Sequence, residues 1–221
     1  MRNTLLFDMD GTLTDTDDLH FAAFGKLLAP FGKSITRETY TNRIMGESTE
    51  AVMAWLLPGQ DPVAMAERKE ELARAHADRL APTRGLERLL GWAAHRGLKT
   101  AVVTNAMRPN ADAMLAALGL AERFDTLVIG VELARGKPDP LPYATALERL
   151  GVAASHALAF EDSRSGVTSA VAAGVETVGI TTGLDSAALR AVGARIAVAD
   201  FADPQLFALL AETFGSAPAL H

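Results

Sequence analysis

Six short apolar runs rich in β-formers alternate with helix-patterned segments along this 221-residue chain, and that alternation restricts its fold more than any other feature. The runs are Thr4–Phe7, Lys99–Thr104, Thr126–Ile129, His156–Phe160, Thr177–Ile180 and Arg195–Val198. Helical periodicity occupies Asn110–Leu118, Pro142–Leu150, Ser165–Ala173 and Pro204–Phe214. Gly119, Gly151 and Gly174 stand where such helices are expected to close on a left-handed residue. Strands alternating with helices predict a parallel sheet covered on both faces. One stretch breaks the rhythm. From Thr16 to about Leu80 there are only amphipathic helical patterns, with turns near Pro30–Lys33 and Leu57–Pro62, and Ala64–Leu80 reads as one long charged helix. The expected architecture is α/β: a Rossmann-like parallel-sheet core from residues 1–15 and 82–221, with an all-helical cap, residues 16–81, inserted after the first strand.

An open parallel sheet places its ligand crevice outside the carboxyl ends of its strands. Polar residues at those ends therefore carry the functional reading. The first strand runs into Asp8-Met9-Asp10-Gly11-Thr12. Alternation sends Leu5, Phe7 and Met9 to one face and Leu6, Asp8 and Asp10 to the other. Two carboxylates so close repel each other unless a cation or a shared proton relieves them. The second strand ends in Thr104-Asn105, a hydroxyl and an amide aimed at the same crevice, although a threonine there also suits a helix cap. Lys137 lies between Gly136 and Pro138, so its ammonium is presented from a stiff turn, either to a phosphate oxygen or carboxylate or simply to solvent. The fourth strand ends in Glu161-Asp162-Ser163, a second acidic pair. Asp162 with Asp8 suits an oxygen-rich Mg²⁺ site.

These four clusters share one chemistry. A carboxylate nucleophile attacks phosphorus to form an acyl phosphate. Magnesium and lysine neutralise the phosphoryl oxygens. A second carboxyl protonates the leaving oxygen and then activates water.

Composition narrows the partners. With 21 Lys and Arg against 27 Asp and Glu, the net charge is −6, which speaks against nucleic acid or an anionic membrane surface. An anionic substrate must therefore meet local positive charge. Cysteine is absent, which removes disulfide and thiol chemistry. No apolar run is long enough to span a bilayer and no leader pattern opens the chain, so a cytoplasmic protein acting on a small phosphorylated metabolite is expected. No pattern specifies an oligomeric state.

The ordered set resembles the haloacid dehalogenase-like superfamily, in its branch with a helical cap between the first two motifs, which includes phosphoglycolate phosphatase and β-phosphoglucomutase. Asp8-Met9-Asp10-Gly11-Thr12 is similar to the first motif, Thr104 to the second, Lys137 to the third and Glu161-Asp162 to the fourth. The resemblance implies Asp8 as nucleophile and Asp10 as general acid/base, with Thr104 and Lys137 completing the catalytic set. It also implies a Mg²⁺ site from Asp8, the backbone carbonyl of Asp10 and Asp162, with Glu161 close behind.

Within that superfamily, an aspartate two residues after the nucleophile favours phosphoryl substrates over halocarbons. The imine-forming cap lysine of the phosphonatases has no convincing counterpart in Lys26 or Lys33. His20, one turn past Thr16, and Asn105 are expected at the substrate, along with a cap loop of Arg43, Gly46 and Glu47; hinge packing for His20 and a surface pair for Arg43 and Glu47 are the plainer alternatives. A phosphomutase of this branch grips a second phosphate with a lysine just before the matching glycine and an arginine three residues after it. This chain has Met45 and Thr49 there, which favours a phosphatase over a mutase, and its intact motifs disfavour a non-catalytic binding protein. Tyr40 and Trp55, like Met45, Met53 and Met65, are expected to pack in the cap core.

Overall fold

The computed structural model describes residues 2–45 and 48–218. Six parallel strands, β1 (Thr4–Phe7), β2 (Lys99–Thr104), β3 (Thr126–Ile129), β4 (Ala157–Glu161), β5 (Glu176–Ile180) and β6 (Ile196–Val198), form one sheet in the order β3-β2-β1-β4-β5-β6. The first three strands fall where the sequence puts them; β4 moves one residue along the chain at both ends, β5 starts one residue earlier and β6 one residue later. In this order β1 sits between β2 and β4, so the chain reverses its direction of winding at β1. A crevice opens at such a switch point.

Strand alternation makes both faces apolar. Leu5, Phe7 and Met9 enter one core, where Phe7 stacks on Phe160 at 5.0 Å and the edge of Phe201 closes the cluster. Leu6 enters the opposite core with Val103, Ala159 and Tyr143. The helices covering these faces are α5 (Leu86–His95), α6 (Arg108–Ala117), α7 (Leu141–Leu150), α8 (Arg164–Ala172), α9 (Ser186–Ala191) and α10 (Pro204–Phe214). Gly119, Gly151 and Gly174 all have positive φ just past their helices, as expected.

Between β1 and α5 the chain is helical: α1 (Asp17–Leu28), α2 (Arg37–Arg43), α3 (Thr49–Leu56) and α4 (Pro62–Arg74). Thr36 caps α2 and Asp61 caps α4, whose first residue is a proline suited to that position. The four helices enclose their own apolar cluster of Phe24, Leu28, Tyr40, Val52, Met53 and Leu56, with Met45 and Met65 packed at its margin. The two chain segments joining this unit to the sheet are stitched together. Thr14 Oγ1 donates to Ala81 O at 2.7 Å, and Thr83 donates from its N–H to Leu13 O and from its hydroxyl to Thr12 O.

Two expectations fail here. The helix expected over Ala64–Leu80 begins at Pro62 and ends at Arg74. His76 leaves helical geometry and a short 3₁₀ turn at Ala77–Arg79 follows, which buries Ala77. Trp55 does not enter this apolar cluster of the inserted helices. It is 40% exposed, and the Arg43 guanidinium lies 4.6 Å above its ring, so a cation–π contact replaces apolar packing.

Candidate active site

The carboxyl ends of β1, β2 and β4 are neighbours, and they deliver the sequence clusters to one place. The N–H of Asp8 donates to Phe160 O, which extends the β1–β4 ladder one step and fixes the Asp8 backbone. Lys137 arrives from the loop before α7. Its Nζ donates to Asp8 Oδ1 at 2.6 Å and to Glu161 Oε1 at 2.6 Å. This ammonium is almost fully buried, so each charge-assisted bond replaces lost hydration. Burial opposes the Lys137 charge, but Asp8 and Glu161 outweigh it and hold its pKa above the ordinary lysine value.

One cation does not balance the site. Asp8, Glu161 and Asp162 bring carboxylate oxygens within 4.8 Å of one another. Burial, reinforced by Glu161, pushes the Asp8 carboxyl up to about 8 despite Lys137. Burial, together with Asp8 and Glu161, also lifts Asp162 well above its usual range. A hard divalent cation relieves such an oxygen cluster, and the donor set fits Mg²⁺.

Asp10 is set apart from this cluster. His20 Nε2 stands 3.4 Å from its Oδ1. Burial works against the Asp10 anion, but His20, Thr16 and the Lys69 charge together outweigh it, leaving the carboxyl below its ordinary pKa. The other ring nitrogen of His20 meets Lys69 Nζ at 2.7 Å, and Lys69 also donates to Glu70 Oε1. Glu70 accepts from Asn110 Nδ2 at 2.6 Å, and Arg74 donates to the Asn110 amide oxygen. A polar chain thus runs from α1 and α4 to Asp10 and to α6 on the sheet side.

The remaining expected residues divide. Thr104 is buried at the end of β2 and its Oγ1 accepts from Ala106 N, so it closes the turn after β2 while Met107 occupies the helix-cap position. Asn105 pairs with both backbone groups of Lys137 at 3.1 Å, so its amide braces the lysine loop. Both ring nitrogens of His20 are committed to protein groups. Arg43 is brought to Trp55. Gly46 and Glu47 lie outside the described residues.

Several site residues escaped the sequence reading. Lys69 was concealed in a charged helix, although Ala66, Lys69 and Ala73 fall on one helical face and are all buried. Tyr143, fully buried, donates its hydroxyl to Glu161 Oε1 at 2.7 Å. Two glycines are fixed by close approach. A Cβ on Gly11, which also has φ +73°, would lie 2.1 Å from Asp162 Oδ2, and one on Gly166 would lie 1.8 Å from Glu161 Oε2.

The chain has relatives both in sequence and in structure. The sequence pattern of the haloacid dehalogenase-like hydrolases matches residues 5–180. A phosphorylated carbohydrates phosphatase of Thermotoga maritima is 34% identical over 197 residues, covering 86% of this chain and 91% of that protein. A phosphoglycolate phosphatase of Rhodospirillum rubrum is 33% identical, covering 91% and 89%. A point mutant of CbbY from Rhodobacter sphaeroides, solved in complex with xylulose-(1,5)bisphosphate, superposes with a TM-score of 0.79 at 28% identity, covering 92% and 96%. The chain belongs to the haloacid dehalogenase-like hydrolases. Among them it is a phosphoric monoester hydrolase.

Gly166→Ala tests how tightly this site is built. Displacing the pinned Glu161 carboxylate is expected to cost about 1–3 kcal/mol of stability and, through Lys137, about a hundredfold in turnover. Denaturant unfolding and steady-state kinetics check both; wild-type values would mean that Glu161 has room to move.

Proposed function

We propose that this protein is a Mg²⁺-dependent phosphatase of small polyhydroxylated phosphate monoesters, working through an aspartyl phosphate on Asp8. The observation that carries this reading is the pairing of Asp8 with buried Lys137 in an acid cluster, while Asp10 stands apart against His20. The carbohydrate-like substrate class rests on the named activities of the relatives, a phosphorylated carbohydrates phosphatase and a fructose-1-phosphate phosphatase among them. The protein is read as cytoplasmic; among the described residues no helix is long and apolar enough to cross a membrane.

In the first half-reaction an Asp8 oxygen forms a bond to phosphorus as the ester P–O bond breaks, and the departing oxygen takes a proton from Asp10. In the second, water attacks the acyl phosphate, gives its proton to Asp10 and releases orthophosphate with Asp8 restored. The lowered Asp10 pKa keeps this carboxyl ionised before substrate arrives. The incoming phosphate dianion raises that pKa and loads the carboxyl for the donating step. Lys137 and the Thr104 hydroxyl hold the non-bridging oxygens, and Asn105 keeps the lysine loop in place. Asp8, Asp162 and the Asp10 carbonyl would hold the metal, which when bound screens the acid cluster from the phosphate and withdraws charge from phosphorus. Residues 16–81 act as a cap over the core of residues 1–15 and 82–221; its seating excludes water and brings His20 and Lys69 to Asp10. Arg43, with the neighbouring Gly46 and Glu47, reads the leaving group.

The mutase alternative needs cations where this chain has none. Met45 packs against the cap core, and the Thr49 hydroxyl turns toward Glu70 at 3.4 Å. Phosphate release from a panel of sugar phosphates and phosphoglycolate in Mg²⁺ tests the proposal. Release from one or a few compounds is expected; isomerisation of β-glucose 1-phosphate without release would identify a mutase. Asp10→Asn separates the two aspartates: turnover is expected to fall by about 10²–10⁴-fold while Mg²⁺ affinity changes little. Equal losses in the two would contradict the acid/base role.

A further inference from the structure

Glu161 has a second donor whose effect reaches the nucleophile. Its Oε1 accepts from Lys137 Nζ at 2.6 Å and from Tyr143 Oη at 2.7 Å, so two donors share one carboxylate oxygen. Tyr143 lies in the first turn of α7, its ring in the apolar layer under the sheet with its centroid 5.3 Å from Lys137 Nζ. Lys137 in turn is shared between two carboxylates at equal distance, Asp8 on one side and Glu161 on the other. Where the ammonium sits depends on how strongly each oxygen pulls. A carboxylate oxygen already occupied by a hydroxyl pulls less on a second donor.

We propose that Tyr143 is a positioning residue for Lys137, acting through Glu161. Its hydroxyl takes up part of the accepting capacity of Glu161 Oε1 and so keeps the ammonium extended toward Asp8. There it faces the oxygen that attacks and the phosphoryl group where charge develops. The ring supplies packing and the hydroxyl supplies this bias, which makes the two roles separable. As a statement about catalysis the inference rests on the phosphatase reading; as a statement about geometry it does not.

Tyr143→Phe keeps the ring and deletes the hydroxyl. With the best substrate found for the wild type, kcat is expected to fall about tenfold, the scale of one hydrogen bond to a charged group, with KM changed by less than about twofold. Crystal structures of the two proteins supply a readout that needs no turnover. In the variant, Lys137 Nζ is expected beyond hydrogen-bonding distance of Asp8 and still bonded to Glu161. Wild-type kcat, an unmoved ammonium, or a variant that loses its fold along with its activity would each overturn the proposal, the last by assigning Tyr143 to packing. A wild-type protein that cleaves no phosphate ester would defeat the phosphatase reading and leave the crystallographic comparison to decide the role of Tyr143.

Discussion

Asp8→Asn is expected to abolish phosphate release, by about 10³-fold or more, while the protein remains folded and able to bind its ligand. The amide is isosteric with the carboxyl, and its oxygen still accepts from Lys137, so the buried ion-pair cluster loses a charge without gaining a cavity. Its loss as a nucleophile is complete, because an amide oxygen forms no stable bond to phosphorus that water could then cleave. Binding should move the other way. Asp8 adds negative charge to a cluster already holding Glu161 and Asp162, and removing it lessens repulsion toward a phosphate dianion. Tighter substrate binding with no turnover is the signature of a covalent nucleophile. Acid-quenched wild-type protein should also carry the mass of one phosphoryl group on the peptide containing Asp8, and the variant should not. Residual turnover within tenfold of wild type would assign attack to water and reduce Asp8 to an electrostatic role.

The residues that make this argument were legible before the structure because their positions follow from backbone geometry. A period of two along β1 puts Leu5 and Phe7 in one core and turns Asp8 away from it, and a parallel sheet gathers its strand ends. Asp8, Thr104, Glu161 and Asp162 are therefore readable as neighbours from strand positions alone. Lys137 reaches the same place from the loop after β3. The helices inserted between β1 and α5 are different. They are amphipathic, but a charged run such as Glu67-Arg68-Lys69-Glu70-Glu71 does not declare which charge faces inward. The stripe that buries Lys69 has only alanines, Ala66 and Ala73, to mark it, and small residues give a weak periodic signal. Tyr143 reads as an ordinary core aromatic, since nothing in its neighbours reveals that a carboxylate waits at its hydroxyl. Trp55 misled for the converse reason: its apolar setting is satisfied by a guanidinium stacked on its face, which periodicity does not record.

Removal of Mg²⁺ should stop turnover, and the same carboxylates make that loss pH-dependent in a definite direction. In the metal-free protein Asp8 is pushed up to about 8 from an ordinary 3.8, and Asp162 is also raised well above its ordinary value. Each group binds its proton more tightly folded than unfolded. The stability they contribute is therefore full below the unfolded value and is lost as pH rises through the folded one. Chelated protein should melt at progressively lower temperature between about pH 5 and pH 8. A bound cation replaces those protons, so Mg²⁺ should bind weakly on the acid side, tighten as pH approaches 8 and release protons when it binds. At about a hundred times its Kd it should restore roughly 2.7 kcal/mol. Melting curves with and without chelator across this range, and calorimetry in two buffers of different ionisation enthalpy, read the stability and the proton release separately. Activity should fall at least about a hundredfold in excess chelator, since the proton that Asp8 then keeps blocks its attack and Lys137 alone is left to hold the phosphate dianion. Undiminished turnover without metal, or a Mg²⁺ effect on melting that shrinks as pH rises, would mean that Lys137 and shared protons suffice to hold the anion, and the acid cluster would need another reason to exist.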